Sequence, residues 1–455
     1  MNIRIGLRAV ISAIVLLVTL TSCATPHGQA PRTVEQPQPA TTQADSSHSV
    51  LLAQAAAGST AAQLQLATIY EDGLLLPRDY DEARRWLELA ALSGSSEGRY
   101  RLGLHYNDGL GTPVDYGKAF DWFQLAANDG HAIAQWSLAC LFDEGLGVEQ
   151  SQSEAHRWWR RAAEQGHAAA QYNVGIHYLN GKVVSQDYTE AMKWFRLAAD
   201  QQHPAAQYNV GVLYRRGNGV RQDLEEGASW YLRAAKNGNV LAQVNTGLMY
   251  DLGRGVEKDY VEAAKWYLIA AQNGDLSAKY NLARLYELGD GVPQDDAEAA
   301  KWLLRAAENG HVRSQYRIAT FYLHGRGVPR DYDLAIDWYS KSAAQGDAAS
   351  AYRLGVHYAR QPATAENKQK ALSWLLNSAT DGYAPAQYAL GHLSTGNGGS
   401  PRDVVETYKW FFIAAENGLS EAARDLRQMA ASMDPSEIER AEKLAHEWLQ
   451  EHQRD

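Results

Sequence analysis

The sequence predicts an all-α protein built as an array of ten repeats of 36 residues, and three observations lead to this fold class. Tryptophan recurs every 36 residues without insertion or deletion. A tyrosine column and a glycine column follow the same spacing, and each period contains two stretches with the apolar spacing of an α-helix. Periods between 20 and 50 residues are typical of solenoids, in which each unit packs on its neighbours.

The tryptophan column is the most regular of the three. Its members are Trp86, Trp122, Trp158, Trp194, Trp230, Trp266, Trp302, Trp338, Trp374 and Trp410. The tyrosine column, which includes Phe142, departs only at Ser394, and the glycine column departs only at Gln202. Because the tryptophans share a stripe with small alanines, we expect them to lie in the core.

The second half of each period predicts a capped helix. In DYTEAMKWFRLAA, which begins at Asp187, apolar residues follow Ala191 at i+3, i+4 and i+7. Asp187 with Glu190 three residues later has the pattern of a capping box. The glycine column comes just after this helix, where a left-handed cap is expected, so Gln202 predicts an irregular turn.

The first half of each period predicts a helix that packs closely against its neighbour. In AQYNVGIHYLNG, small residues such as Gly175 recur in one column, where helices must approach closely. A Gly-x-Gly stretch such as 217–219 then separates the two helices. Gly-x-Gly also begins dinucleotide-binding loops, but here no strand precedes it and it recurs in most units, which favours a turn.

These two stretches together resemble the Sel-one-like repeat, a 36-residue relative of the tetratricopeptide repeat, over residues 59–418 in ten units. The resemblance implies a right-handed α/α superhelical solenoid of helix-turn-helix repeats whose inner surface binds other proteins. It also implies an N-terminal capping half-repeat at 47–58 and a C-terminal helical cap at 419–455. The ninth and tenth units depart most from the pattern, because 360–368 lacks the glycine turn.

The first 23 residues have the pattern of a signal peptide. Two arginines precede the apolar run 9–20, which is too short to span a bilayer as a mature helix. The run ends in Leu-Thr-Ser-Cys at 20–23, which resembles the bacterial lipobox and implies acylation of Cys23. The alternative is an ordinary secretory cleavage site with an incidental cysteine.

Residues 24–46 contain four prolines and almost no large apolar side chain, which predicts a disordered tether. The residue after the cysteine is Ala24, and in similar lipoproteins the absence of aspartate there implies transfer to the outer membrane. We therefore expect a lipid-anchored protein that faces the periplasm. The formal net charge of −10, without a basic patch, argues against nucleic-acid partners, so the lipid is the expected membrane contact.

The expected function is a non-enzymatic scaffold or adaptor that binds envelope proteins or peptides, for which exopolysaccharide or peptidoglycan machinery is one setting. By resemblance to tetratricopeptide arrays, one column of the first helices borders the concave surface: Tyr100, Trp136, Tyr172, Tyr208, Tyr280, Tyr316, Tyr352 and Tyr388. A neighbouring polar series supplies the specificity: Arg215, Arg216, Asp251 and Glu287. The alternative, that the tyrosines form a second layer of the core, stays equally open.

An enzyme is the other class considered. No metalloprotease motif, phosphate loop or nucleophile elbow is present in the sequence. The histidines at 131, 167, 203 and 311 share a column, but equivalent positions of adjacent repeats are about 10 Å apart, too far to share a metal. We therefore expect no metal, no cofactor and no catalytic residue. A glycan-processing or other hydrolytic site formed across repeats is the alternative.

Overall fold

The structure is a computed structural model that describes residues 42–394 and 403–452. Within these ranges the chain forms 23 α-helices and no β-strand. The predicted all-α class is therefore confirmed. Each repeat contributes a first and a second helix, and in most repeats these two helices pack against each other.

Helix α1 (Thr42–Ala56) precedes the repeats. The first helices of repeats one to ten are α2 (Thr60–Asp72), α4 (Ser96–Asp108), α6 (Ala132–Glu144), α8 (Ala168–Asn180), α10 (Pro204–Arg216), α12 (Val240–Leu252), α14 (Leu276–Leu288), α16 (Val312–His324), α18 (Ala348–Arg360) and α20 (Ala384–Ser394). The second helices are α3 (Tyr80–Leu92), α5 (Tyr116–Asn128), α7 (Gln152–Glu164), α9 (Tyr188–Asp200), α11 (Leu224–Lys236), α13 (Tyr260–Gln272), α15 (Asp296–Glu308), α17 (Tyr332–Ala343), α19 (Ala365–Thr380) and α21 (Val404–Glu416). Helices α22 (Ser420–Ala430) and α23 (Pro435–His452) follow.

The N-terminal boundary differs from the one expected. Helix α1 begins at Thr42, inside the segment 24–46 that we expected to be disordered. The last proline of that segment is Pro39, so no proline interrupts a helix that begins at Thr42. The signal peptide, Cys23 and residues 24–41 lie outside the described residues. At the other end, α22 and α23 occupy the segment for which a helical cap was expected.

The helix ends follow the predicted signals. The carboxylate of Asp187 accepts hydrogen bonds from the backbone N–H groups of Thr189 and Glu190, at 2.8 and 3.0 Å. Gly166, one member of the glycine column, has φ +93°, which is the left-handed conformation expected after α7. The turn at Gln202, which we expected to be irregular, keeps the same backbone hydrogen bonds as the turn at Gly166. Gln202 adopts φ +63°, and within the described residues it is the one non-glycine residue with positive φ.

The innermost column of the core is the residue that follows each tryptophan. Phe195, Tyr231, Tyr267 and Tyr339 belong to this column and are fully buried. A Cβ atom added to Gly175 would lie 2.7 Å from the ring of Phe195, which explains the small residues on the first helices. The tryptophans lie further out: five of the ten are buried, and the rest are half-buried.

The chain divides into two compact units. One unit runs up to Ala242 and includes 254–256, so it contains repeats one to five. The other contains most of repeat six, repeats seven to ten, and α22 and α23. In each unit the buried side chains form clusters that run through adjacent repeats, which is the packing expected of a solenoid.

Candidate partner-binding site

Tyr172 lies between two repeats. Its ring is 5.8 Å from the ring of Phe195 and stacks on His203 with centroids 4.9 Å apart. The side chain of Asn209, in the next repeat, favours the ionised form of its hydroxyl, but burial has the larger effect and raises the pKa of Tyr172 to about 12. Tyr172 therefore joins repeat four to repeat five and is not offered at the surface.

The other members of this column pack in the same way. The ring of Tyr100 stacks on His131, with centroids 4.8 Å apart, and Trp136 lies 5.4 Å from His167. Aromatic neighbours also contact the remaining rings of the column: Tyr208, Tyr280, Tyr316, Tyr352 and Tyr388. Trp136 is buried like Tyr172, whereas the other six tyrosines are half-buried. Packing therefore accounts for Trp136 and Tyr172, and for the six half-buried tyrosines partner binding stays a prediction.

Asp251 and Glu287 lie in the interior, not on a binding surface. Asp251 accepts a hydrogen bond from the hydroxyl of Tyr267 at 3.2 Å and forms a salt bridge with Arg284. Both carboxylates are buried. This corrects the expectation that they are offered to a partner, because burying a charge requires a partner within the protein.

Glu287 is held by two cations from the next repeat. The Nε atom of Arg317 donates to Glu287 at 3.0 Å, and Nη1 of Arg326 lies 3.6 Å from the same carboxylate. The hydrogen bond and the charge of Glu287 raise the pKa of Arg317, so the guanidinium is charged at neutral pH. The acidic members of the predicted series therefore join repeats.

Arg215 and Arg216 differ from these acids, because one is half-buried and the other is exposed. The Nε atom of Arg215 donates to the hydroxyl of Tyr231 at 3.2 Å, which fixes the side chain. Neither arginine forms a salt bridge within the described residues. Repeat five, which carries them, has five basic and three acidic residues in a chain of net charge −10. Of the predicted set, these two residues offer accessible charge.

A cavity of about 350 Å³ lies near the second helices of repeats four and five. Trp230, Arg233 and Lys236 line it together with Gln202, whose left-handed backbone is unusual for a side chain of this size. The guanidinium of Arg233 covers the indole of Trp230, with 4.5 Å between the guanidinium carbon and the ring centroid. The last turn of α11 thus places two cations at this cavity, in addition to Arg215 and Arg216 on the first helix of the same repeat.

A series of buried amides, which we did not predict from the sequence, connects the helices. The Nε2 atom of Gln171 donates to the backbone oxygen of Ala163 at 3.2 Å, and Nε2 of Gln201 donates to Oε1 of Gln171 at 2.8 Å. Equivalent pairs are Gln135 and Gln165, Gln207 and Asn237, Gln243 and Asn273, Gln315 and Gln345, and Gln387 and Asn417. We call these amide pairs the amide ladder. The recurrence of glutamine in one column at the 36-residue spacing is the sequence pattern that indicates it.

Three of the four histidines in the column cap helices, whereas His311 forms no capping bond and its Nδ1 lies 2.8 Å from the hydroxyl of Ser314. The Nδ1 atoms of His131, His167 and His203 accept hydrogen bonds from the backbone N–H three residues later, at 3.1 to 3.2 Å. Burial, with a smaller effect of His167, lowers the pKa of His203 to about 4. In the ranges that the structure describes, no three His, Cys, Asp or Glu residues are placed to hold a metal ion. None of the described helices has the length and apolarity to cross a bilayer.

The repeats match a known family along most of the chain. The model described as "Sel1 repeat" matches ten consecutive segments, from 60–95 to 384–419. The chain belongs to the Sel1 repeat family. Proteins of this family are generally non-catalytic scaffolds that bind other proteins.

Two solved structures are similar along much of their length. One is c5321, a protective antigen present in uropathogenic Escherichia coli strains that displays an SLR fold; it is 30% identical, with a TM-score of 0.71, over 89% of this chain and 95% of that one. The other is a Sel1 repeat protein from Oxalobacter formigenes, 28% identical with a TM-score of 0.54, over 73% of this chain and 98% of that one. None of the curated proteins compared with the chain matches it.

Proposed function

We propose that this Sel1 repeat protein is a non-enzymatic scaffold of the bacterial envelope that is anchored by an acyl chain on Cys23 and binds envelope proteins along its repeats. The family supports the scaffold role, and the Leu-Thr-Ser-Cys stretch at 20–23 supports the anchor. Acylation of Cys23 would hold the repeats at the outer membrane, on the periplasmic side. The partners would come from envelope assemblies such as exopolysaccharide or peptidoglycan machinery.

The pair Arg215 and Arg216 carries the binding part of this proposal. Arginine is enriched at protein interfaces, and an unpaired guanidinium beside an ordered hydroxyl is ready to bind a carboxylate. In contrast, the acidic members of the same series are already bound to arginines of the next repeat. A partner with an acidic segment therefore fits repeat five better than its neighbours.

A charge reversal tests this surface. We expect Arg215→Glu with Arg216→Glu to reduce recovery of cross-linked envelope partners several-fold, while the melting curve stays close to that of the unchanged protein. The matched control is Lys301→Glu, which reverses an exposed charge that pairs with Glu298 on a second helix. If the double variant and the control recover the same partners in the same amounts, the assignment of this surface is wrong.

The anchor is tested separately. We expect Cys23→Ser to abolish fatty-acid labelling and to release the protein from the membrane fraction into the soluble envelope fraction. Ser22→Ala is the control. It keeps a small residue before Cys23, so the labelling and the membrane retention should stay unchanged. Unchanged labelling and membrane retention of the Cys23 variant would contradict lipidation.

A further inference from the structure

The second helices of repeats six and ten carry the same residues on one side. We call this side the outward face; it lies opposite the stripe that packs into the repeat. Four of its positions hold the same residue type in α13 and α21, four periods apart: Val261 and Val405, Lys265 and Lys409, Trp266 and Trp410, and Ile269 and Ile413. Each lysine also bonds a glutamate three residues earlier.

In repeat ten a helix of the same chain covers the outward face. Ile413 is 0% exposed, and the ring of Trp410 meets that of Trp448 edge-on, with centroids 5.2 Å apart. Ala445 belongs to the same buried cluster, and Leu449 packs against it. Helix α23 thus lies along α21 and covers this face with alanine, tryptophan and leucine.

In repeat six no described residue covers the same face to this extent. Ile269 is 38% exposed and Val261 is 50% exposed, whereas Ile413 is fully buried. The side chain of Lys265 is 61% exposed, against 14% for Lys409. The four shared positions have the same side chains in both repeats, and they differ in whether a helix lies on them.

We propose that the outward face of α13 binds an amphipathic helix of a partner protein whose apolar stripe has the chemistry of α23. That stripe places Ala441 and Ala445 one turn apart and continues with Trp448 and Leu449. Small residues let the helix approach closely, and the aromatic ring then covers the indole and the isoleucine. Grooves that bind helices are recognised through such i, i+4 and i+7 anchors.

Two contacts of repeat ten show why α23 itself stays on α21. The hydroxyl of Tyr408 donates to Glu442 at 3.4 Å, and Phe412 lies 5.3 Å from the ring of His446. Repeat six has Ala264 and Leu268 at the equivalent positions, so it offers neither contact. A second copy would have to give up both contacts in order to place its own α23 on repeat six. The occupant of this face is therefore a different protein.

The probe is a labelled peptide of residues 435–452 that is added to the full chain. A lactam between Lys443 and Glu447, which face each other across one exposed turn, keeps the peptide helical, and circular dichroism verifies this. We expect saturable binding by fluorescence anisotropy. Val261→Glu with Ile269→Glu should weaken this binding roughly ten-fold or more, because two apolar contacts are lost.

Leu197→Glu is the matched control. Leu197 is the exposed equivalent of Ile269 in repeat four, where Thr189 stands in place of valine, and its substitution should change the affinity less than two-fold. All substituted positions are exposed, so the melting curves should stay unchanged. Absence of saturable binding overturns the proposal, and so does equal affinity of the double variant.

Self-association is the remaining outcome. If light scattering shows a dimer of the full chain that Ile269→Glu dissolves, the face belongs to a second copy and the proposal of a partner helix is overturned. This surface and the pair Arg215 and Arg216 are tested by different substitutions. Each proposal therefore fails or stands by itself.

Discussion

Repeats four and nine have the same length but differ in how their helices are connected and packed. In repeat four, Gly181 ends α8 with φ +69°, and Gln171 joins three consecutive helices. In repeat nine, Gln361 follows α18 with an extended backbone, and Ala351 stands in the place of Gln171. Helix α19 has 16 residues, against 13 for α9.

Repeat nine compensates for part of this difference. The hydroxyl of Ser378 donates to the backbone oxygen of Ala348 at 2.7 Å and so joins the two helices of the repeat. Leu375 is buried where repeat four has Phe195, while Leu372 and Leu376 are exposed. The repeat therefore tolerates the loss of a glycine cap and an amide bridge as long as its innermost column stays apolar. We expect repeat four to be the more stable of the two.

The largest effect should come from the innermost column. Phe195→Ala should lower the free energy of unfolding by about 3 to 5 kcal/mol, because the ring is fully buried against Gly175. Leu375→Ala should cost less, because fewer atoms are removed and the neighbouring Leu372 and Leu376 are already exposed. Urea denaturation of the two variants measures both values. A larger loss for Leu375→Ala would reverse the comparison.

Acid should weaken repeat four before repeat nine. His156 and His177 are buried with their Nδ1 atoms 3.0 Å apart, and burial, reinforced by His156, lowers the pKa of His177 to about 4. His177 takes up a proton near pH 6.5 in the unfolded chain and near pH 4 in the folded chain. Its contribution to the free energy of unfolding is therefore fully present above about pH 6.5 and is lost as the pH falls from about 6.5 to about 4. For His177 the loss at pH 5 is about 2 kcal/mol.

His357 occupies the same column in repeat nine and makes the comparison sharper. Burial lowers the pKa of His357 as well, but the residue is half-buried and its Nδ1 lies 2.8 Å from the hydroxyl of Tyr332. Hydrogen exchange at pH 7.5 and pH 5, corrected for the intrinsic rates, should show a greater loss of protection in α8 than in α18. His177→Leu is the control, since other repeats have leucine in this column, and it should reduce the pH dependence. Equal losses in both helices would contradict the assignment.

The sequence predicts the helices well because their signals are local. Asp187 and Gly166 act within one turn of the chain, so their roles follow from spacing alone. The order of depth inside the core does not follow in this way. Trp194 and Phe195 are adjacent on one apolar stripe, and periodicity does not show that the phenylalanine is innermost.

The candidate site is harder to predict because its contacts connect different repeats. Glu287 meets Arg317, which is 30 residues later, and Tyr172 meets Asn209 in the next repeat. A polar residue at a helix position gives no sign of whether a neighbouring repeat neutralises it. For this reason Asp251 and Glu287 were assigned to a binding surface although they are buried, whereas Arg216 is exposed.

A smaller effect is expected from the amide ladder. Gln171→Met keeps an unbranched side chain but loses two hydrogen bonds, one to the backbone oxygen of Ala163 and one from the amide of Gln201, which together should cost about 1 to 3 kcal/mol. Ser378→Ala, which removes the corresponding bond of repeat nine, should cost about 1 kcal/mol. Denaturation curves of both variants, each compared with the unchanged protein, test the ranking. If Gln171→Met unfolds like the unchanged protein, the ladder does not stabilise repeat four.

The smallest effect should come from one hydroxyl group. Tyr172→Phe keeps the ring between Phe195 and His203 but removes a buried hydroxyl on which the side chain of Asn209 acts, so it should cost about 0.5 to 1.5 kcal/mol. Tyr352→Phe in repeat nine is the control. The ring of Tyr352 packs 5.5 Å from the ring of Tyr383, and no hydrogen bond of the Tyr352 hydroxyl is seen among the described residues. Loss of this hydroxyl should therefore leave the free energy of unfolding close to unchanged.

The same pair separates packing from binding in the tyrosine column. If Tyr172 acts by joining repeats, Tyr172→Phe lowers stability and leaves partner recovery unchanged once the protein is folded. The titration curve at alkaline pH should also lose a phenol whose pKa is raised to about 12 by burial. If Tyr172→Phe instead leaves the denaturation curve unchanged and reduces partner recovery, Tyr172 is a binding residue. Its side chain would then have to leave its buried position when the partner binds.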